Sequence, residues 1–158
     1  MNKSSLNNKE TIVITKEDAN FRMDKHGRWI NDGGPVEKAS IIRYLNSAIE
    51  KDENGFYVTH MLGDRREKVY FEYEDAALFV IDLKLNGSDI SLLLNTKRRL
   101  KLEPTGLFLK DDSLYLEQSG HVIKFNERAM VKMAPFLAES EEGLVVAING
   151  QKQVIREE

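Results

Sequence analysis

The chain has 158 residues, 41% of them hydrophobic and 31% charged, which is the composition of a folded soluble domain and not of a disordered or membrane-spanning one. It contains no cysteine, so disulfides, thiolate nucleophiles, iron–sulfur clusters and Cys-based zinc sites are excluded. With 23 basic against 26 acidic residues the net charge is −3, too near neutral for a generic nucleic-acid or membrane-surface binder.

Residues 1–10 carry one large apolar side chain besides the initiator, Leu6, so no signal-peptide stretch can be assembled there and a disordered polar tail is expected. Asn at position 2 excludes N-myristoylation. The longest apolar run, Ala76 to Ile81, is far shorter than the ~18 residues of a membrane span. A cytoplasmic protein with no membrane partner is the expectation.

The first predicted element is a short β-hairpin, Phe21 to Asp24 and Arg28 to Asn31, turning at Lys25-His26-Gly27. Asp32-Gly33-Gly34-Pro35 then punctuates the chain, and Pro just inside a helix start predicts a helix over about 36–52. Ile41, Ile42, Leu45, Ala48 and Ile49 share one stripe at helical spacing, Glu37 suits the dipole, and Asn54-Gly55 supplies the stop. After Gly55 the period becomes two. Phe56 to Met61 is a strand, Gly63 to Arg66 its turn, and Val69, Phe71 and Tyr73 are the buried face of the next strand, 67–74. Leu78 to Leu85 follows with Phe79, Ile81, Leu83 and Leu85 on the buried face. Asn86-Gly87 predicts a type I′ turn into Ile90, Leu92 and Leu94, and Leu100 and Leu102 suggest one more strand.

The chain then echoes itself. Leu107 to Leu109 and Leu114 to Glu117 make a second hairpin, and Ser119-Gly120-His121-Val122 follows it as Gly33-Gly34-Pro35-Val36 followed the first. Asn126 is a candidate N-cap for a second amphipathic segment with Met130, Met133, Ala134 and Leu137 on one face, which Pro135 shortens or kinks. Gly143 precedes the strand Leu144 to Ile148, and Asn149-Gly150 turns it into Gln151 to Ile155. The expected fold class is α+β and β-rich. Two pattern-level repeats of hairpin–helix–strand–strand, about 21–71 and 107–157, flank a central antiparallel hairpin in a single compact unit over 11–158.

An ordered set of residues resembles a bacterial family of unknown function, DUF1285. The set comprises Gly27-Arg28-Trp29, Gly34-Pro35-Val36, Leu45, Asp52-Glu53-Asn54-Gly55-Phe56-Tyr57, Thr59, Glu67-Lys68, Glu74-Asp75-Ala76 and Asn95-Thr96. The likeness runs over roughly 20–150. It departs at Ala77 and Leu78, where the family has a proline and an aromatic, and between His60 and Arg66. The resemblance implies a β-rich α+β fold with a repeated helix-and-strand motif, no catalytic residues to carry over, and a signalling or regulatory role.

No G-x-G-x-x-G, Walker loop, G-x-S-x-G or H-E-x-x-H is present, and His26, His60 and His121 are too far apart to share a helix face as zinc ligands. Glu50, Asp52, Asn54 and Gly55 imitate the start of an EF-hand loop, but Met61 stands where the bidentate glutamate is required. Arg65-Arg66-x-Lys68 and Lys97-Arg98-Arg99-x-Lys101 are two basic clusters between strands, where cations blunt turns and sheet edges. Trp29 reads first as a core anchor under the first helix.

The sequence therefore points to a non-enzymatic binding or regulatory module for a protein, a peptide or a small-molecule ligand. No catalytic residue, metal or cofactor is expected, nucleic acid is not an expected partner, and a homodimer stays open. The candidate ligand-binding residues are Gly33, Gly34, Arg65, Arg66, Trp29 and His60. The two glycines at a helix start and the arginine pair would hold a small anion or a peptide carboxylate. Two alternatives are a small-molecule enzyme using His60 with Asp64 or Asp32, and a weak nucleic-acid binder using both basic clusters.

Overall fold

The computed structural model describes residues 10–158, so the expected tail lies, apart from Glu10, outside the described residues. The chain divides between Ala77 and Leu78 into two compact units. The expected single unit over 11–158 is thus split inside the apolar run Ala76 to Ile81, where no Pro- or Gly-rich linker marks a boundary. The fold is β-rich α+β, as expected.

In the N-terminal unit a three-stranded meander, β2 (Phe21–Met23), β3 (Trp29–Asn31) and β4 (Gly34–Pro35), precedes helix α1 (Ala39–Ser47). A four-stranded sheet has the order β1-β7-β6-β5, from β1 (Thr11–Ile14), β7 (Arg65–Tyr70), β6 (Gly55–Leu62) and β5 (Ile49–Asp52). β5, β6 and β7 are antiparallel, and β1 adds parallel to β7. The core holds Met23, Trp29, Ile49, Phe56, Val58, Val69 and Phe71. β7 ends before the expected residue 74. Tyr73 is 42% exposed, and its backbone forms an isolated bridge to Met23 in place of a strand ladder.

The helix expected over 36–52 is shorter at both ends. Gly34 and Pro35 pair with Asn31 and Ile30, and Val36 N donates to Trp29 O at 2.9 Å, so the hairpin ladder holds the backbone through Val36, and Lys38 is still extended as the N-cap. Gly34 also has φ +103°, a left-handed value no helix start accepts. At the other end Ile49 leaves the helical stripe and pairs with Val58, buried in the sheet. Glu37 is therefore outside the first turn, which holds no acidic residue. Asp52 to Gly55 is a β5–β6 turn and not a helix stop, with Asp52 Oδ1 accepting from Asn54 N at 2.9 Å.

The C-terminal unit opens with β8 (Leu78–Asn86), β9 (Asp89–Leu94) and β10 (Arg99–Lys101). A 3-10 turn, Pro104–Gly106, leads to β11 (Leu107–Lys110), β12 (Ser113–Gln118) and β13 (His121–Phe125). After helix α2 (Glu127–Met133) come β14 (Leu137–Ser140), β15 (Gly143–Ile148), β16 (Gln151–Val154) and β17 (Arg156–Glu157). The large sheet has the order β10-β9-β8-β13-β12-β11-β17, and β14-β15-β16 form a second sheet. Asn126 caps α2 as expected, its Oδ1 accepting from Ala129 N at 2.9 Å. Pro135 sits in the 3-10 turn Ala134–Phe136 that replaces further α-helix. The buried residues of α2 are Ala129 and Met133, while Ala134 is exposed.

Paired left-handed residues close three hairpins in type I′ fashion, at Asp111-Asp112, Ser119-Gly120 and Asn149-Gly150. The β8–β9 turn differs from the expected type I′ form. Its closing pair is Asn86 and Asp89, and Gly87, at φ +66°, is the left-handed residue of the two-residue loop, which fits type II′.

Gly106 is required by space. A Cβ there would lie 2.2 Å from Glu117 O and 3.0 Å from Leu116 Cδ1. The obstacle is backbone of a central strand, so Gly106→Ala is expected to cost about 1–3 kcal/mol in urea unfolding, as overpacking does. A cost under about 0.5 kcal/mol would mean that the 3-10 turn moves freely off β12.

Candidate functional site

The six expected ligand-binding residues do not assemble as expected. Gly33 and Gly34 form the β3–β4 turn, well before the first helical residue, Ala39, so they present no helix N-terminal donors. The Gly33 N–H is already satisfied by Asn31 Oδ1 at 2.9 Å. Arg65 and Arg66 begin β7 in the four-stranded sheet, and among the described residues no hydrogen bond or ion pair joins them to the glycines. Trp29 is 1% exposed. Its ring meets Phe71 and Phe21 edge-on at 4.8 and 5.4 Å, and its Nε1–H donates to Asn46 Oδ1 of α1 at 2.7 Å. That is an anchor under the helix, with no ring face left for a ligand. His60 finds its carboxylate in Glu67, directly across β6 and β7 at 3.0 Å, and not in the expected Asp64 or Asp32. Asp64 lies in the turn beyond the closing pair Leu62 and Arg65.

The densest polar cluster of the N-terminal unit lies on the outer face of β5–β7. Lys68 Nζ and Tyr70 Oη both donate to Asp52 Oδ2, at 2.6 and 2.7 Å. The Lys68 ammonium also sits 4.3 Å from the Tyr57 ring centroid and 5.3 Å from that of Tyr70. The Lys68 hydrogen bond, then that of Tyr70, lowers the Asp52 pKa to about 2, and the same bond to Asp52 raises Lys68 above its ordinary value. A carboxylate depressed in the folded state adds stability above its unfolded pKa of 3.8 and loses it as pH falls through 2. Acid unfolding of the wild type should therefore steepen between pH 4 and 2, and Asp52→Asn should flatten that limb. Parallel acid limbs in the two proteins would remove the cluster from the account. With its cation already bound, this group is structural.

The C-terminal unit holds a cleft of about 310 Å³ that the sequence reading did not find. Its floor includes the buried Ile90, Leu102 and Val146, and its rim carries Asp89, Lys101, Glu103, Thr105 and the strand β16. Gln151, Lys152 and Gln153 all line it. Val146 and Ile148 of β15 stand directly opposite Gln153 and Gln151 and share one face with them, so the cleft lies over that face of the hairpin and reaches its edge at Lys152.

The two strand edges flanking the cleft differ. On β10 a side chain takes up part of the outer edge: Gln118 Nε2 donates to Lys101 O at 2.8 Å, and Gln118 Oε1 accepts from Glu103 N at 3.0 Å. β16 is the last strand of its sheet. The pairs Ile148–Gln151 and Val146–Gln153, with Ile155 N donating to Leu144 O at 2.8 Å, direct those residues inward to β15. The backbone groups of Lys152 and Val154 then point outward, where no strand meets them among the described residues and Val154 O accepts from Gln153 Nε2 at 3.3 Å. Lys101 faces Asp89 at 3.7 Å, while Lys152 and Glu103 have no ion-pair partner among the described residues.

No helix among the described residues is long and apolar enough to cross a membrane. Among the same residues no three His, Asp or Glu side chains are grouped to hold a metal ion. No protein-family model and no curated protein matches the chain. Two solved structures do, both of DUF1285 family proteins. One, from Silicibacter pomeroyi DSS-3, is 14% identical with a TM-score of 0.63, covering 94% of this chain and 83% of that one. The other, from Shewanella baltica OS155, is 18% identical with a TM-score of 0.52, covering 73% of this chain and 91% of that one. The fold of the chain is thus similar to that of two solved DUF1285 proteins, the family its sequence resembles.

Proposed function

We propose that the chain is a non-enzymatic binding module of regulatory type, and that its ligand occupies the cleft of the C-terminal unit. The observation that carries this reading is an apolar-floored cleft with a polar rim, walled by the β15–β16 hairpin whose outer strand is the last of its sheet. Support for a role without catalysis comes from His60, whose carboxylate partner Glu67 is directly cross-strand, with no third group paired to it among the described residues. Support against nucleic acid comes from the basic clusters, since Lys68 is held by Asp52 and Lys101 faces Asp89.

The test is a thermal-shift screen of a metabolite panel and a pool of random heptapeptides on the wild type and on Thr105→Trp, which fills the cleft from its exposed rim. A ligand at 100 times its Kd stabilises the native state by about 2.7 kcal/mol. A rise in Tm seen in the wild type and absent in Thr105→Trp supports the reading. No rise with any probe, or equal rises in both proteins, overturns it.

We also infer that the two units are variants of one plan. In each, a three-stranded meander precedes a helix, which precedes three consecutive antiparallel strands, β5-β6-β7 in one and β14-β15-β16 in the other. Their β5–β6 and β14–β15 turns are built alike, closing on Gly55 at φ +124° and Gly143 at φ +115°. Asp52 Oδ1 and Ser140 Oγ each accept the N–H two residues on, at 2.9 and 3.2 Å.

A further inference from the structure

In the N-terminal unit the edge that corresponds to β16 is already occupied. The hairpins β6–β7 and β15–β16 both close on two-residue turns, with the pairs Leu62–Arg65 and Ile148–Gln151 at their ends. Aligned from those pairs, Arg66 corresponds to Lys152 and Lys68 to Val154. The outward N–H of Arg66 donates to Glu10 O at 3.1 Å, and β1 continues from there in parallel register, Thr11 opposite Arg66 and Val13 opposite Lys68. The matching N–H of Lys152 points away from β15, and among the described residues no strand lies against it.

We propose that the open edge of β16 takes up an extended segment of a partner protein as a parallel strand, in the way β7 takes up β1. This rests on the reading of the cleft as the binding site and names its occupant. Three features define the segment. Backbone N–H and C=O groups at alternate positions meet those of Lys152 and Val154. β-branched apolar residues like those of Thr11-Ile12-Val13-Ile14 suit a pleated strand over a floor of Ile90, Leu102 and Val146. An acidic residue leads, because Lys152 in the cleft has no carboxylate partner among the described residues. Strand addition needs free edge groups: on β10 Gln118 takes up Lys101 O and Glu103 N, while on β16 the Lys152 backbone groups meet no strand among the described residues and Val154 O is held only by its neighbour's side chain, Gln153 Nε2, at 3.3 Å.

The probe is a fluorescein-labelled peptide of the chain's own residues 10–16, Glu-Thr-Ile-Val-Ile-Thr-Lys. Its binding is measured by polarisation to the full protein, to Lys152→Ala and to Lys152→Pro. Proline at an edge position removes only the outward donor and leaves the β15 ladder intact. Lys152→Pro should weaken binding by at least about tenfold, the worth of one backbone hydrogen bond, while Lys152→Ala keeps most of it. Should Lys152→Pro fail to fold, peptides N-methylated at successive positions give the same answer on the wild type, binding lost at every second position. Bound peptide should also slow hydrogen exchange at Lys152 and Val154. Binding that ignores both Lys152→Pro and N-methylation overturns strand addition. If only metabolites stabilise the protein, at a site that Thr105→Trp closes, the cleft stands as a binding site and the peptide occupant falls. If the protein self-associates through exchange of its own residues 10–16, the partner is a second copy, and the proposal of a separate partner falls.

Discussion

Replacing Trp29 with alanine is expected to destabilise the N-terminal unit by about 3–5 kcal/mol, the largest loss of any single substitution there. The indole fills the space between Phe21 and Phe71 at 1% exposure, and deletion of so large a ring leaves a cavity that the short meander strands cannot close. It is also the anchor of α1. That helix has no buried residue of its own and no side-chain cap at Lys38, so the bond from Trp29 Nε1 to Asn46 Oδ1 at 2.7 Å carries an unusual share of its attachment. Trp29→Phe keeps most of the ring and loses the donor, and should fall between wild type and alanine, with about 1–3 kcal/mol lost for the unpaired amide. In the double mutant Trp29→Phe, Asn46→Ala the two losses should not add, because each removes the same bond. Since Trp29 is the chain's one tryptophan, unfolding of these variants is followed by circular dichroism. A loss below about 1 kcal/mol in Trp29→Ala would mean that the meander does not depend on the indole.

What was legible in the sequence is what short-range chemistry decides. The hairpins at Asp111-Asp112 and Asn149-Gly150 are specified by residues that tolerate left-handed backbone, and Asn126 announces α2 through a cap made three residues on. The limits of α1 were not legible. The apolar spacing from Ile41 continues at helical period to Ile49, so periodicity cannot tell that Ile49 has been claimed by a strand through its pairing with Val58, nine residues on. At the other end, Pro35 satisfies the rules for a helix start and equally those for an edge strand, and the β3–β4 pairing settles the matter.

The site was less legible still. β1 is four residues long and pairs with a strand more than fifty residues away, and so has no local signature beside a polar tail. The cleft draws on residues 88–90, 101–105 and 146–153, which no spacing rule connects. Its defining property is an unpaired strand edge, and that is a fact of sheet order, invisible until every strand has been placed. Gln118 is the plainest example. In sequence it is a polar residue at a strand end, and in the fold its amide replaces a missing strand beside Lys101 and Glu103.

Phe79→Ala should cost about 3–5 kcal/mol and Leu85→Ala under about 0.5 kcal/mol, although simple alternation puts both on one buried face. The reason is a bulge. Val80 stands opposite Leu94 but Asp82 stands opposite Leu93, so Ile81 is an extra residue on β8 and the parity of the strand changes there. After the bulge Leu83 shares a face with the buried Leu92, and Leu85, beside the turn, is 58% exposed. Before it both faces are buried: Val80 at 0% lies with Leu94, while Phe79 at 2% lies on the opposite face, the one that carries Asp82. That face is covered by α2, whose Lys132 and Arg128 reach Asp82 at 2.5 and 3.5 Å. The backbone of Phe79 is held as tightly as its ring, since its N–H donates to Asn95 Oδ1 at 3.0 Å and its C=O accepts from Asn95 N at 2.9 Å. With the backbone pinned and a helix above, the strand cannot collapse into the space a missing ring would leave, which places the cost at the upper end of the range for buried aromatics. Urea unfolding of the two alanine variants decides it. Equal losses would return Phe79 and Leu85 to one face and remove the bulge.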